Sequence, residues 1–132
     1  MLPMTKVLIV DDEPDSSEFV AKYLAHEGFR TQVAPNGRDA LATLINTTPD
    51  ALVLDVRMPG MDGIELLQIL RSYLRWKDLP VVILTAHANE AQEELVRYLG
   101  VRRVFRKANF KLGELADEIR AAVGPQVGRQ NA

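Results

Sequence analysis

Three short runs of apolar residues, separated by longer amphipathic segments, constrain the fold of this chain more than any other feature. The runs occupy residues 7–10, 51–54 and 81–84, and no polar residue interrupts them. Short, uninterrupted apolar runs rich in branched residues are typical of parallel strands that are buried on both faces of a sheet. We therefore expect these three runs to form the centre of a parallel sheet.

The rest of the sequence supplies two weaker strands and five amphipathic helices. Residues 30–34 and 101–106 mix polar and apolar residues, as edge strands do. Five segments, four between the strands and one after the last strand, place apolar residues at helical spacing. Their apolar positions are Phe19, Val20, Tyr23 and Leu24; Ala40, Leu41, Leu44 and Ile45; Ile64, Leu67, Leu70 and Leu74, widened by Leu66, Ile69 and Tyr73; Leu95, Val96 and Leu99; and Leu112, Leu115, Ile119 and Val123.

Strands and helices thus alternate five times, which predicts an α/β fold of the (βα)5, flavodoxin-like type. The expected architecture is a doubly wound parallel sheet of five strands with helices on both faces. Right-handed crossovers and two edge strands of mixed polarity favour the strand order 2-1-3-4-5. Residues 1–123 form one domain in this prediction. Residues 124–132, which are polar and contain Gly and Pro, are expected to be a flexible tail or the start of a truncated linker.

Composition excludes several classes of protein. Among 132 residues, 16 Lys and Arg against 18 Asp and Glu give a net charge of -2, so a strongly basic nucleic-acid binder is excluded. The absence of cysteine excludes disulfides and zinc–thiolate sites. No apolar run approaches the roughly 18–20 residues that cross a bilayer, and the N-terminal residues do not resemble a signal peptide. We expect a cytoplasmic protein with no direct nucleic-acid contact and no membrane insertion.

The small net charge conceals a segregation of charge along the chain. Residues 11–18 contain five acidic residues and no basic one, whereas residues 97–111 contain six basic residues and no acidic one. Two solvated faces are one interpretation. The other is an acidic pocket near one strand and a basic surface that faces an acidic protein partner.

Polar side chains follow four of the predicted strands at the point where each strand ends. Asp11 and Asp12 follow the first strand, Asp55 the third, Thr85 the fourth and Lys107 the fifth. Taken singly, each could be a helix cap, a strand residue or a surface charge. Together they meet at one edge of the sheet, where open α/β folds bind their ligands.

Three carboxylates at one edge need a compensating cation. Pairs of carboxylates about 4–6 Å apart repel each other by roughly 4 kcal/mol at an effective dielectric constant near 20. Because the cluster offers only oxygen ligands, Mg²⁺ or Mn²⁺ is the expected ion. A metal, an ammonium and a hydroxyl could together hold the oxygens of a phosphoryl group, and a carboxylate can accept that group covalently. No glycine-rich phosphate loop is present, which disfavours nucleotide binding.

At these positions the sequence resembles the receiver domain (CheY-like) of bacterial response regulators in two-component signalling. The resemblance extends from about Lys6 to Val123. It rests on residues 7–14 (VLIVDDEP), residues 53–63 (VLDVRMPGMDG), residues 81–86 (VVILTA) and Lys107.

The resemblance implies a phosphoryl-accepting signalling switch rather than an enzyme. Asp55 would accept the phosphoryl group from the phosphohistidine of a sensor histidine kinase or a histidine phosphotransfer protein. Thr85 would hydrogen-bond to a phosphoryl oxygen, and Lys107 would form an ion pair with it.

The resemblance also implies a metal site and two positions that tune dephosphorylation. Asp12 and Asp55 would bind Mg²⁺ directly, Asp11 directly or through water, and the backbone carbonyl of Arg57 would add a ligand. The side chains of Arg57 and His87 occupy the tuning positions.

Two departures from the family pattern concern the end of the chain. The family usually has Pro after the site lysine, whereas Lys107 precedes Ala108, which leaves open whether this peptide is cis or trans. The family commonly has an aromatic switch residue where this chain has Val104. We therefore hypothesise that output uses the basic surface of helix 4, strand 5 and helix 5, through a downstream protein or a homodimer.

Two other functions are the alternatives. One is a degenerate receiver that acts as a scaffold without phosphorylation. The other is a Mg²⁺-dependent phosphatase of the haloacid-dehalogenase type with an aspartate nucleophile, which would require Asp-x-Asp. Here Asp55 is followed by Val56 and Arg57, and no residues remain for a cap domain.

Overall fold

A computed structural model describes residues 4–124 of the chain. Five strands and five helices alternate along them: β1 (Lys6–Val10), α1 (Pro14–His26), β2 (Arg30–Ala34), α2 (Gly37–Asn46), β3 (Ala51–Leu54), α3 (Gly63–Arg71), β4 (Val81–Thr85), α4 (Glu90–Tyr98), β5 (Arg103–Arg106) and α5 (Leu112–Val123). The described helices do not include one with both the length and the apolar character to cross a bilayer. Of the predicted tail, only Gly124 lies within the described residues.

The five strands form one parallel sheet in the order β2-β1-β3-β4-β5, so the predicted fold class is confirmed. The three central strands are the three apolar runs of the sequence. Apart from Lys6 at the start of β1, every residue in them is buried. Continuous apolar runs correspond to two-sided burial because helices cover both faces of the sheet.

Alternate residues of each central strand pack into two separate cores. Leu8 and Leu52 point towards α2, α3 and α4. Val7 and Val53 point towards α1 and α5. A single strand therefore supplies side chains to both cores, and a polar residue in β1, β3 or β4 away from the strand ends would lack a polar surrounding on either face.

The third helix is shorter than its apolar spacing predicts. It ends at Arg71, and Leu74 lies beyond it with 84% of its surface exposed. Trp76, in the turn that follows, is instead 5% exposed, and its Nε1 donates to Thr48 Oγ1 at 3.3 Å. Burial of a tryptophan removes more apolar surface from water than burial of a leucine, which favours ending the helix early.

Arg71 stabilises this early end of the helix. Its guanidinium donates to the carbonyl oxygens of Trp76 and Leu79 in the turn, and to that of Leu99 after α4.

Phe19 and Ile45, two apolar positions of the first two predicted helices, lie outside the core, with 60% and 58% of their surfaces exposed. The apolar faces of α1 and α2 are thus narrower than their sequences indicate.

Candidate functional site

The carboxyl ends of β1, β3, β4 and β5 bring the predicted site residues together. Val10 pairs with Leu54 in the sheet, so the next residues, Asp11 and Asp55, lie side by side. The Lys107 amide donates to the carbonyl of Thr85 at 2.9 Å, which aligns the ends of β5 and β4. Backbone pairing therefore positions these four side chains, although they are far apart in sequence.

Asp55 is the most constrained acidic side chain of the site. It is 4% exposed. Its Oδ1 accepts hydrogen bonds from Thr85 Oγ1 at 2.8 Å and from the Arg57 amide at 3.2 Å, and its Oδ2 lies 3.3 Å from Lys107 Nζ. Burial raises the pKa of Asp55, and the negative charge of Asp11 raises it further. The hydrogen bonds from Thr85 and Arg57 and the charge of Lys107 lower it, but the pKa remains above its ordinary value. Asp55 is thus a carboxylate whose negative charge is only partly compensated.

Lys107 supplies positive charge to the site. Its side chain is 14% exposed, and Nζ lies 2.8 Å from Asp11 Oδ2 and 3.0 Å from Glu13 Oε1, as well as near Asp55. Burial alone would lower the pKa of Lys107, but these three carboxylates outweigh burial and raise it. The described residues contain no cis peptide, so the Lys107–Ala108 peptide is trans, and the ammonium still reaches the site.

The three aspartates form a cluster with the chemistry of a divalent-cation site. One carboxylate oxygen from each of Asp11, Asp12 and Asp55 lies within 4.8 Å of the others. Asp11 and Asp55 are each 4% exposed, and Asp12 is more accessible. The cluster offers oxygen ligands and no nitrogen or sulfur, which suits Mg²⁺ or Mn²⁺.

The backbone behind Asp55 depends on a glycine at the start of α3. A Cβ at Gly63 would overlap the carbonyl oxygen of Asp55, and the Gly63 amide donates to the carbonyl of Val56 at 2.9 Å. Asp62 caps the helix by accepting a hydrogen bond from the Glu65 amide at 2.8 Å. The loop after β3 therefore packs tightly against the backbone of Asp55.

Three further predicted positions lie on the strands and loops that carry the site residues. The side chains of Arg57 and His87 are exposed, and the His87 carbonyl accepts a hydrogen bond from Thr85 Oγ1 at 3.2 Å. Val104 is half-buried and packs against the core beneath α4. Phe105, next to it, is buried in the opposite core. No aromatic side chain thus occupies the switch position.

Glu13, one of the five acidic residues at positions 11–18, also contacts the site, although the sequence did not single it out. Its side chain is 60% exposed, yet its carboxylate contacts Lys107, and its amide donates to Asp11 Oδ1 at 3.0 Å. Its place in the acidic run next to Asp12 was the available signal.

The basic stretch at residues 97–111 does not form an uncompensated basic surface. Arg102 pairs with Glu118 at 3.0 Å and Arg103 with Glu114 at 3.2 Å, both on α5. Arg106 pairs with Glu93 of α4 at 2.7 Å. The expectation of a basic face was wrong, because glutamates from outside residues 97–111 pair with these arginines. The surface of α4, β5 and α5 therefore carries both charges.

Comparison with known proteins assigns the family. The family model described as the response regulator receiver domain matches residues 7–120. Response regulator MprA of Mycolicibacterium vanbaalenii is 35% identical over 116 residues, which are 88% of this chain and 49% of that protein. Regulatory protein AtoC of Escherichia coli is 40% identical over 88 residues, which are 67% of this chain and 19% of that protein. The chain thus spans half or less of these two relatives.

Solved structures agree with this assignment. Chemotaxis protein CheY4 of Vibrio cholerae superposes with a TM-score of 0.83 at 28% identity, covering 91% of this chain and 99% of CheY4. The receiver domain of Francisella response regulator 1452 superposes with a TM-score of 0.79 at 32% identity, covering 90% of this chain and 96% of that domain. The resemblance drawn from the strand-end motifs is thereby confirmed, and the chain belongs to the response regulator receiver domain family of two-component signalling.

Proposed function

We propose that this chain is a phosphoryl-accepting switch in which Asp55 receives the group from a phosphohistidine. The donor would be a sensor histidine kinase or a histidine phosphotransfer protein in the cytoplasm. The observation that carries the proposal is the surrounding of Asp55: a buried carboxylate with a hydroxyl on one oxygen and an ammonium near the other. These are the donors that an incoming phosphoryl group needs.

The transfer would replace a phosphorus–nitrogen bond by a phosphorus–oxygen bond. A carboxylate oxygen of Asp55 attacks phosphorus, the bond to the donor imidazole breaks, and the released nitrogen takes up a proton. The Thr85 hydroxyl can then donate a hydrogen bond to a phosphoryl oxygen, and the Lys107 ammonium can form an ion pair with the phosphoryl group. Both groups already lie within 3.3 Å of an Asp55 oxygen, so both donors stand next to the accepting carboxylate.

The acidic cluster supports a divalent cation as part of this function. Asp11, Asp12 and Asp55 would hold Mg²⁺, with Mn²⁺ as a substitute, and the backbone carbonyl of Arg57 would add a ligand. The ion would offset the repulsion between the acidic cluster and the phosphoryl oxygens. Lys107 already makes part of this compensation through Asp11, at 2.8 Å.

The exposed side chains of Arg57 and His87 would govern how long the phosphoryl group lasts. Hydrolysis requires water to attack phosphorus, so that the bond to Asp55 breaks and inorganic phosphate leaves. Both side chains are exposed, and each residue lies two positions after a site residue, Asp55 or Thr85. Substituting them would therefore alter the lifetime of the acyl phosphate more than the acceptance of the group.

The output would be a change in protein–protein contact through α4, β5 and α5. A downstream protein or a second copy of the chain would meet paired arginines and glutamates there, including Arg102 with Glu118 and Arg103 with Glu114. A partner with alternating charge suits this surface better than a uniformly acidic one.

Intact mass spectrometry after incubation with acetyl phosphate and Mg²⁺ tests the function. We expect a gain of one phosphoryl group in the wild type that Asp55→Asn abolishes. Asp62→Asn is the matched control, because it changes an acid in the same segment while asparagine still caps α3. A wild type that stays unmodified would favour the scaffold alternative, since Val104 and Ala108 depart from the family pattern. Repeated release of phosphate from a phosphate ester would favour the phosphatase.

A further inference from the structure

Arg106, the last residue of β5, joins this edge strand to the segment that follows Thr85. Its Nη1 donates to the carbonyl of Ala88 at 3.2 Å, and its Nη2 donates to Glu93 Oε2 at 2.7 Å. Ala88 lies in the loop between β4 and α4, and Glu93 lies in the first turn of α4. The two side chains of the ion pair are 39% and 21% exposed, so solvent screens the pair only in part.

The same loop contacts the candidate site at its other end. Thr85 Oγ1 donates to Asp55 at 2.8 Å and lies 3.2 Å from the carbonyl of His87. A hydroxyl has one proton, so these two acceptors compete for it. A phosphoryl group on Asp55 would add acceptors on one side only, which draws Thr85 towards that group. Because the loop continues the backbone of Thr85, it would be drawn towards the site at this end while Arg106 holds it at the other end.

Other side chains of β5 do not offer an equivalent connection among the described residues. Val104 has no polar group and packs into the core beneath α4. Phe105 is buried on the opposite face, and Arg103 pairs with Glu114 on α5. Within residues 4–124, Arg106 is the β5 residue whose side chain hydrogen-bonds to both the β4–α4 loop and α4.

We propose that Arg106 is a positioning residue that holds the β4–α4 loop and α4 in the unphosphorylated arrangement. For the loop to follow Thr85 towards a phosphoryl group, the contacts of Arg106 with Ala88 and Glu93 must break. Their free energy therefore opposes phosphorylation, and phosphorylation releases α4 from β5. The coupling is reciprocal: whatever weakens the Arg106 contacts must strengthen binding of a phosphoryl group at Asp55 by the same factor. This inference rests on the proposed function of Asp55.

Beryllofluoride with Mg²⁺, a mimic of the bound phosphoryl group, provides the test by calorimetric titration. We expect Arg106→Ala to bind the mimic about threefold to tenfold more tightly than the wild type, the range of a partly buried ion pair. Glu93→Gln breaks the same ion pair from α4 and should act in the same direction, which keeps the test available if Arg106→Ala does not fold. Arg103→Ala is the matched control, because it removes an arginine–glutamate pair from the same strand without touching the loop.

Amide spectra of the ligand-free variants give a second measurement. In Arg106→Ala, the amide signals of residues 86–89 should lie between the positions of free and beryllofluoride-bound wild type, because the population is shifted in advance. A purely structural arginine would weaken binding or leave it unchanged when removed. Equal or weaker affinity in both Arg106→Ala and Glu93→Gln, relative to Arg103→Ala, would overturn the inference while the proposed function stands. If the wild type does not bind the mimic, both fail.

Discussion

Asp55 is a carboxylate held where its own charge is disfavoured, and this has a measurable effect on stability. Because burial raises its pKa in the folded protein, the folded state binds the proton more tightly than the unfolded state does. The ionised form therefore costs stability at neutral pH. This cost disappears as pH falls through the raised pKa towards the ordinary value of 3.8.

Asp55→Asn should for this reason melt at a higher temperature than the wild type at pH 7 in EDTA. Each kcal/mol gained corresponds to about 3–5 °C in Tm for a domain of this size. The difference should shrink towards pH 4, and Mg²⁺ should reduce it at pH 7 by compensating the charge in the wild type. Calorimetry between pH 4 and pH 8 measures this, with the exposed Asp117→Asn as the control. A lower Tm for Asp55→Asn at pH 7 would contradict the account.

Lys107 is expected to stabilise the metal-free fold and to compete with the metal. Lys107→Met leaves two nearly buried carboxylates, Asp11 and Asp55, without their cation, which should lower the free energy of unfolding by about 3 kcal/mol in EDTA. The variant should also bind Mg²⁺ more tightly, because the ammonium no longer occupies Asp11. Urea unfolding with and without Mg²⁺ measures both effects.

Lys111→Met is the control for this substitution, since Lys111 is exposed at the start of α5. Its free energy of unfolding should stay within about 0.5 kcal/mol of the wild type. Unchanged stability in Lys107→Met would show that the ammonium does not compensate the cluster.

Among the secondary-structure elements, α3 contributes to the site through its first residue. Gly63→Ala should destabilise the fold, because the new Cβ would overlap the backbone of Asp55 and displace either the strand end or the helix. Gly113 lies in the first turn of α5, where the nearest atom to a new Cβ is the Tyr23 hydroxyl at 3.9 Å. Gly113→Ala should therefore stabilise the fold by up to about 1 kcal/mol.

Thermal unfolding of the two glycine variants gives the comparison. Tm should fall for Gly63→Ala and rise for Gly113→Ala, although both changes add one methyl group near a helix start. Equal shifts in the same direction would mean that the approach of α3 to Asp55 is not tight.

The turn after α3 shows where sequence periodicity misplaces an element. Trp76→Ala should lower the free energy of unfolding by about 3–5 kcal/mol, because a buried indole and its bond to Thr48 are lost. Leu74→Ala should change it by less than about 0.5 kcal/mol, since that side chain is 84% exposed. Chemical denaturation of both variants measures these changes. A larger loss of unfolding free energy for Leu74→Ala than for Trp76→Ala would instead support the longer third helix that the sequence predicts.

Strand positions could be predicted from the sequence more reliably than helix ends. Two-sided burial leaves a direct signature in β1, β3 and β4, because the positions between the strand ends must be apolar. The end of α3 depends instead on competition between Leu74 and Trp76 for burial. That competition is settled by packing against Thr48, a residue 28 positions away.

For the molecule as a whole, the convergence of the site could be predicted because it follows from topology. In a parallel sheet, the residues after the strands meet at one edge, so Asp11, Asp55, Thr85 and Lys107 could be grouped without coordinates. The contact of Glu13 with Lys107 follows less directly from topology, because Glu13 lies beyond the residues that immediately follow β1 and its place in the acidic run is the signal that the sequence offers.

The charge distribution of the whole molecule likewise depends on tertiary structure. The basic stretch of the sequence becomes a surface of ion pairs once α4 and α5 bring Glu93, Glu114 and Glu118 against it. Charge runs along a sequence predict surface charge only where the neighbouring elements carry no opposite charges.

The central claim is that one acyl phosphate forms on Asp55 and depends on the acidic cluster. Phosphorus NMR of the protein with acetyl phosphate and Mg²⁺ tests it most directly. The account predicts one protein-bound acyl-phosphate resonance in the wild type, which is lost in EDTA and in Asp55→Asn but retained in Asp62→Asn. A resonance that persists in Asp55→Asn, or its absence from the wild type, would contradict the account.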